Sequence, residues 1–231
     1  MAHPARIKRL RVQSIAIGVA ACLVVAFPTA CAFRSKVVPE PWRCDSSIDA
    51  LVESGQWEEA LVGHEQLLRE TPDNCLARYH IGFIWGHLGE RGEEVHAYEQ
   101  AIACGYAQDD QLYFNLGMAY SELGDLQRAT EALERAVALD PRRADNFFGL
   151  AIILEAAERA QDAQQALDRA LSIDAHHLEA RLAIIRLYLD QGRWADARIH
   201  LSVAESIDAG NESVEQLRQT LKSREAAEYK R

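Results

Sequence analysis

The chain has 231 residues, and its 35 Asp and Glu outnumber 25 Lys and Arg, so its formal net charge is −10. Six of the basic residues and none of the acidic ones lie in the first 36 positions, which leaves 19 basic against 35 acidic side chains, a charge of −16, on the remainder. A body this acidic is repelled by nucleic acid and by anionic lipid, so neither is expected as its partner. Two interpretations of the charge remain open: it keeps the protein soluble, or it attracts a basic partner.

The N-terminal segment, residues 1–33, has the plan of an export signal. Basic residues such as Arg6 and Lys8 precede an uncharged run over residues 12–33, whose apolar centre spans residues 15–27. This order is typical of a secretory signal peptide. The centre is shorter than the ~20 residues that span a membrane, although the whole run is long enough. We therefore predict that the remainder of the chain is exported and that the basic flank stays in the cytoplasm.

Three fates of this segment stay open: cleavage near Ala30-Cys31-Ala32, lipidation, or retention as a single-span anchor. Cys31 is the first candidate for lipidation, and Cys22, which follows Val19-Ala20-Ala21, is the second. Residues 34–45 contain two prolines and are predicted to form a short extended linker.

A spacing of about 34 residues organises the rest of the chain. Gly55, Gly89, Gly124 and Gly192 are separated by 34, 35 and twice 34 residues, and Glu158 stands where a further glycine would be. Alanines recur at two other fixed phases, at Ala60, Ala129, Ala163 and Ala197, and at Ala101, Ala136, Ala170 and Ala204. A period of this length that carries small residues at fixed phases predicts stacked helical repeats.

The third unit, residues 110–143, is the most regular. Apolar side chains three or four residues apart predict two amphipathic helices, the first ended by Gly124-Asp125 and the second by Asp140-Pro141. Its marker residues are Leu116, Gly117, Tyr120, Gly124, Ala129, Ala136 and Pro141. This pattern resembles the tetratricopeptide repeat. The resemblance implies an all-α, right-handed superhelical solenoid of antiparallel helix pairs.

Five repeats of this kind cover residues 46–211. Their units are residues 41–74, 75–109, 110–143, 144–177 and 178–211. The second unit is the least regular, because it has an extra residue, Tyr106 in place of the closing proline and Glu94 in place of an alanine. We expect Glu94 to loosen this pair or to bend so that its charge reaches water.

Residues 212–231 predict a single amphipathic helix, with Val214, Leu217 and Leu221 on one side. The last pair of a solenoid exposes an apolar face, so we expect this helix to cap it.

Three cysteines, Cys44, Cys75 and Cys104, lie in the body predicted to be exported, where disulfides persist. In the repeat that the chain resembles, Cys75 opens one helix and Cys104 closes its antiparallel partner. A Cys75–Cys104 bridge is therefore the first hypothesis and a Cys44–Cys75 bridge the second. The alternative is three buried free thiols.

The resemblance also implies where a partner binds, because the first helix of each repeat lines the concave face in this family. On this chain those positions carry aromatic and apolar side chains that the helix pairs do not need for their own packing. They predict a groove for a helix or an extended apolar peptide of a partner protein. The predicted groove residues are Tyr79, Phe83, His87, Phe114, Asn115, Met118, Phe148, Ile152, Leu182, Arg186 and Leu189.

The sequence contains no motif that indicates catalysis or a cofactor. It has no Gly-rich phosphate loop, no His-Glu-x-x-His and no Cys-x-x-Cys. His80, His87 and His96 could together touch a metal, but two-turn spacing without an adjacent carboxylate favours surface histidines. We therefore predict no catalytic residue, no cofactor and no metal ligand.

These features together predict a non-enzymatic protein-interaction scaffold. The export signal and the resemblance to bacterial repeat proteins place it on the periplasmic side of a bacterial membrane. Two alternatives remain: a structural module that self-associates, and a metal-binding or enzymatic accessory protein that uses the three histidines.

Overall fold

The structure is a computed structural model that describes residues 45–229, and within that range it contains eleven α-helices and no strands. The helices are α1 (Ser46–Glu53), α2 (Trp57–Glu70), α3 (Cys75–Leu88), α4 (Arg91–Cys104), α5 (Asp110–Glu122), α6 (Leu126–Leu139), α7 (Ala144–Ala156), α8 (Ala160–Ile173), α9 (Leu178–Asp190), α10 (Trp194–Ile207) and α11 (Glu212–Tyr229). The first ten form five consecutive pairs, one in each predicted unit.

The N-terminal predictions lie outside the described residues. They are the signal or anchor segment, the two candidate lipidation sites Cys22 and Cys31, the linker up to residue 44, and Cys44. Within residues 45–229, no helix is both long enough and apolar enough to cross a bilayer.

The 34-residue spacing has a backbone cause. Each of the regularly spaced glycines adopts a left-handed conformation in the turn between two paired helices, with φ between +72° and +83°. Glu158 adopts φ +60° at the same point of the fourth pair, and it is the one non-glycine residue with positive φ in the described part of the chain. Only glycine takes this conformation without steric cost, so the spacing reports a recurring tight turn.

Close approach of paired helices explains the recurring alanines and two further glycines. The eight alanines at the two fixed phases are each at most 1% exposed. A Cβ at Gly82 would lie 2.6 Å from the Tyr98 ring, and one at Gly117 would lie 2.7 Å from Leu133 Cγ. Larger side chains at these positions would push the two helices of a pair apart.

The core consists of two apolar clusters of buried residues. One extends from α3 to α7, and the other extends from α7 to α11. Val214, Leu217 and Leu221 are buried in the second cluster, and α11 packs against α9 and α10. The C-terminal helix therefore covers the apolar end of the last pair.

Glu94 corrects an expectation, because its charge does not reach water. The side chain is 6% exposed and accepts a hydrogen bond of 2.6 Å from Arg91, which also donates to Glu122 of α5 and to the Gly86 carbonyl. Burial raises the pKa of Glu94, and Arg91 opposes that shift. Gly86 leaves the space that the carboxylate fills, since a Cβ there would lie 2.6 Å from Glu94 Oε1. Arg91 thus links the buried Glu94 to Glu122 of the next helix pair, whose side chain is 54% exposed.

Candidate partner-binding face

The first helices of successive pairs form one layer of the solenoid. Contacts join α3 to α5, α5 to α7, α7 to α9, and α9 to α11. No comparable contact joins successive even-numbered helices within residues 45–229. Because the odd-numbered helices approach one another more closely, their layer lies on the inner side of the curve. This inner layer carries the predicted groove residues.

The predicted groove residues divide into three sets by exposure. Arg186 and His87 are exposed. A second set is half-buried, and it comprises Phe83, Phe114, Asn115, Met118, Phe148 and Ile152. The third set is buried, and it comprises Tyr79, Leu182 and Leu189.

Tyr79 is not part of an accessible groove. Its side chain is 3% exposed, and its ring lies 5.3 Å from the Tyr106 ring and 5.8 Å from the Tyr98 ring. Tyr106 occupies the place where the repeat pattern has a closing proline, and its ring packs against Tyr79. The prediction for Tyr79 is therefore wrong, and the cause is a departure of this unit from the pattern.

Leu182 and Leu189 are also wrongly predicted as groove residues. Both belong to the apolar cluster that the α11 residues Val214, Leu217 and Leu221 complete. They are 7% and 5% exposed. Covering by the C-terminal helix removes this end of the inner layer from solvent.

The N-terminal end of the inner layer carries a compact group of rings. The His87 imidazole stacks on Trp57 at a centroid distance of 4.0 Å, and Phe83 meets His87 edge to face at 4.5 Å. Burial and the Arg91 charge lower the pKa of His87. Trp57 was not among the predicted groove residues. A sequence signal for it exists, because Trp57 and Trp194 each follow a turn glycine by two residues.

Two phenylalanines lie at the centre of the inner layer. Phe114 of α5 packs on the backbone of α7, since a Cβ at Gly149 would lie 2.6 Å from the Phe114 ring. The Phe148 ring lies 5.1 Å from the ring of His177. Both rings remain half-buried, so each keeps a surface that a partner can cover.

Polar contacts hold Asn115 beside these rings. Its side-chain oxygen accepts a hydrogen bond from Gln111 at 3.1 Å, and Gln111 in turn accepts one from Arg143 at 2.7 Å. The amide is therefore a fixed polar group within an apolar surface.

Charged groups follow toward the C-terminal end. His177 lies 3.2 Å from Asp145 and 3.4 Å from Glu179. Burial opposes its protonation, but the two carboxylates outweigh burial and raise the pKa of His177 to about 9. Burial raises the pKa of Glu155, and the positive charge of Arg186 counteracts that shift. This end of the face therefore offers one exposed cation, Arg186, because the charge of the buried His177 is already paired with two carboxylates.

The three histidines proposed as metal ligands have different partners. His87 stacks on Trp57, and His96 lies 2.7 Å from Gln100. His80 instead faces His64 of α2 at a ring distance of 4.9 Å, and its Nδ1 lies 3.7 Å from Asp49 Oδ1 of α1. Burial lowers the pKa of His64 to about 4 and that of His80 to about 3. Both imidazoles are thus uncharged near neutral pH.

Cys75 and Cys104 form a disulfide between the start of α3 and the end of α4, and their Cα atoms lie 5.4 Å apart. Because the Cys75 sulfur is bonded to Cys104, it is not available for the alternative bridge to Cys44. The bridge closes the same helix pair that contains Glu94.

The described residues are those of a helical repeat protein, in which identical turns and small contact residues recur in each pair. Residues 110–143 and 154–221 match family models described as tetratricopeptide repeat. These two stretches therefore belong to the tetratricopeptide repeat family.

Known proteins support this fold. The chain is 28% identical over 108 residues to the CTR9 homolog of Arabidopsis thaliana, a match that covers 45% of this chain but only 10% of that protein. The crystal structure of MamA superposes with a TM-score of 0.68 at 20% identity, covering 72% of this chain and 96% of MamA. The tetratricopeptide repeat protein YrrB superposes with a TM-score of 0.65 at 19% identity, covering 74% of this chain and 88% of YrrB.

Proposed function

We propose that this protein is a non-enzymatic interaction scaffold that binds a helix or an extended apolar peptide of a partner protein on its inner layer. One observation carries the proposal: Phe83, Phe114 and Phe148 lie half-buried on three successive inner helices. Partly exposed aromatic side chains in a row are the usual anchors of protein interfaces. The structure of YrrB is described as having an unusual peptide-binding site, which is consistent with this use of the fold.

The partner's charge follows from the chain's own. An overall acidic body favours a peptide with basic flanks, while the exposed Arg186 favours one acidic group near the C-terminal end of the face. We therefore propose an apolar peptide with basic flanks and one acidic residue that meets Arg186.

We further propose that binding takes place on the periplasmic side of a bacterial membrane. The basic flank and the apolar run of residues 1–33 support export, and a lipid or a single span would hold the scaffold at the membrane. In that location its role would be to assemble or support an envelope complex.

Site-specific photocrosslinking in the native cells tests the proposed surface. A photoreactive side chain replaces Met118 on the inner layer, and in a second strain it replaces Val62, which is 61% exposed on α2. We expect a crosslinked partner from position 118 and none of the same mass from position 62. A second copy of the chain as the crosslinked product would support the self-associating alternative instead.

The double substitution Phe114→Ala and Phe148→Ala then tests the anchors. If each ring contributes ~2 kcal/mol, removing one weakens binding about 30-fold, so the crosslink at position 118 should disappear. The matched control is Val62→Ala with Ile199→Ala, two apolar side chains that are 61% and 63% exposed on the even-numbered helices. Urea unfolding of each variant checks that the fold is intact. An unchanged crosslink in a folded double variant would refute the groove.

A further inference from the structure

We infer that Asp49, His64 and His80 form a binding site for a divalent first-row transition metal ion, of which Zn²⁺ is the probe, and that the ion braces the first helix pair against the second. The three residues come from α1, α2 and α3. The site is separate from the proposed groove and does not depend on it.

The ligand chemistry fits such an ion. Two imidazoles and a carboxylate are donors that zinc and its neighbours in the periodic table accept, whereas Mg²⁺ and Ca²⁺ prefer all-oxygen sites. One ligand atom from each residue lies within 4.8 Å of the other two. Around a tetrahedral Zn²⁺ with bonds of about 2.0–2.1 Å, ligand atoms lie about 3.3 Å apart. Small rotations of the three side chains are enough to close that difference.

The state of His64 is a second, independent observation. Its side chain is 0% exposed, and neither ring nitrogen has a hydrogen-bond partner within the described part of the chain. A buried imidazole without a partner destabilises a fold, and an apolar side chain would fill the same space without that cost. A metal ion would give His64 the missing partner.

The location explains what the ion would do. The two apolar clusters that hold the solenoid together contain no residue of α1 or α2. The first helix pair contacts the rest of the solenoid mainly through α2 and α3. A metal ion that joins α1, α2 and α3 would add a link from α1 to α3. The His80 side chain is 15% exposed, so solvent can reach a fourth coordination position.

Metal binding by the full chain, purified in detergent without a histidine tag, tests the inference. The protein is dialysed against a small excess of Zn²⁺, separated from free metal and analysed for zinc. We expect one Zn²⁺ per chain. Because second-shell changes alone cost about 10–100-fold in metal affinity, removing a ligand should weaken binding at least ~100-fold. The test variants are His64→Leu, which keeps an apolar side chain of similar size in the core, and Asp49→Asn.

The matched control is the double variant His96→Gln and His176→Gln, which removes two exposed histidines outside the cluster. It should bind Zn²⁺ as the wild type does. In a second measurement, Zn²⁺ should raise the urea midpoint of the wild type, while Mg²⁺ should not, and neither ion should change that of His64→Leu. Retention of no zinc by the wild type would overturn the inference. So would equal retention by a folded His64→Leu variant, or loss of zinc in the control.

Discussion

The left-handed backbone at Glu158 gives a prediction that rests on one dihedral angle. Glu158 has φ +60°, and Gly124 occupies the same turn of the preceding pair with φ +83°. A Cβ at Gly124 would meet nothing within 4 Å, so only the backbone conformation opposes a side chain there. Placing glycine at position 158 and a side chain at position 124 therefore measures the free-energy cost of the left-handed conformation.

The magnitude follows from two opposing contributions. The left-handed conformation costs a residue with a Cβ about 1–2 kcal/mol. Glycine, in turn, gives the unfolded chain extra entropy, which costs the folded state about 0.4–1 kcal/mol. We expect Glu158→Gly to raise the free energy of unfolding by about 0.5–1 kcal/mol, and Gly124→Ala to lower it by about 1 kcal/mol.

Gly92 supplies the matched control. It lies in α4 at an ordinary helical conformation, and a Cβ there would also meet nothing within 4 Å. Gly92→Ala should therefore stabilise the protein by about 0.4–1 kcal/mol, the opposite sign from Gly124→Ala. Urea unfolding followed by far-ultraviolet circular dichroism measures all three variants. Equal stability of Gly124→Ala and Gly92→Ala would refute the argument, and so would a less stable Glu158→Gly.

Two further predictions concern charge and the disulfide. Because the folded pKa of His177 is raised from 6.5 to about 9, its stabilisation is complete below pH 6.5 and is lost as the pH rises toward 9. A pKa shift of this size limits the contribution of His177 to the free energy of unfolding to about 3 kcal/mol. Because the partner carboxylates are largely exposed, we expect the free energy of unfolding to fall by about 1–2 kcal/mol over that pH range. The Cys75–Cys104 bridge spans 29 residues, so its reduction should lower the free energy of unfolding by about 3–4 kcal/mol.

Each of these two predictions has its own control. The free energy of unfolding of His177→Gln should not decrease over the same pH range. If it decreases as much as that of the wild type, other groups cause the pH dependence. For the bridge, Cys75→Ala with Cys104→Ala should make stability insensitive to reductant. If the wild type is equally insensitive, the bridge does not contribute to stability.

The repeat architecture could be predicted from sequence because the same kind of turn and the same kind of helix contact recur along the chain. A glycine with positive φ ends the first helix of a pair, and an alanine lies where the two helices meet. These requirements are local and recur at one period, so they are visible in a single sequence. The helix pair containing Glu94 was harder to predict, because Arg91 and Gly86 accommodate its carboxylate through contacts that the period does not encode.

Three of the predicted groove residues are buried for the same reason. The position of a residue within the repeat predicts whether it lies in the inner layer. Whether its side chain is buried depends on which other residues pack over that layer. Tyr106 covers Tyr79, and the C-terminal helix covers Leu182. Of the cluster around His64, the sequence suggested only His80, which it grouped with His87 and His96, since the members of the cluster come from three helices and no short motif contains them.

The groove and the proposed metal site meet on α3, where His80 and Phe83 lie three residues apart. The apolar cluster and the disulfide hold α3 in place whether or not a metal is bound. A metal ion held by His64 and His80 would instead restrain α2, and with it Trp57, whose ring lies 6.3 Å from the Phe83 ring. Phe114 and Phe148 lie on α5 and α7, which the apolar clusters hold in place without the first helix pair. A partner that engages Trp57 and Phe83 would therefore bind more tightly when the metal is present, because α2 is already ordered. A partner confined to the two central phenylalanines would bind equally well in either state.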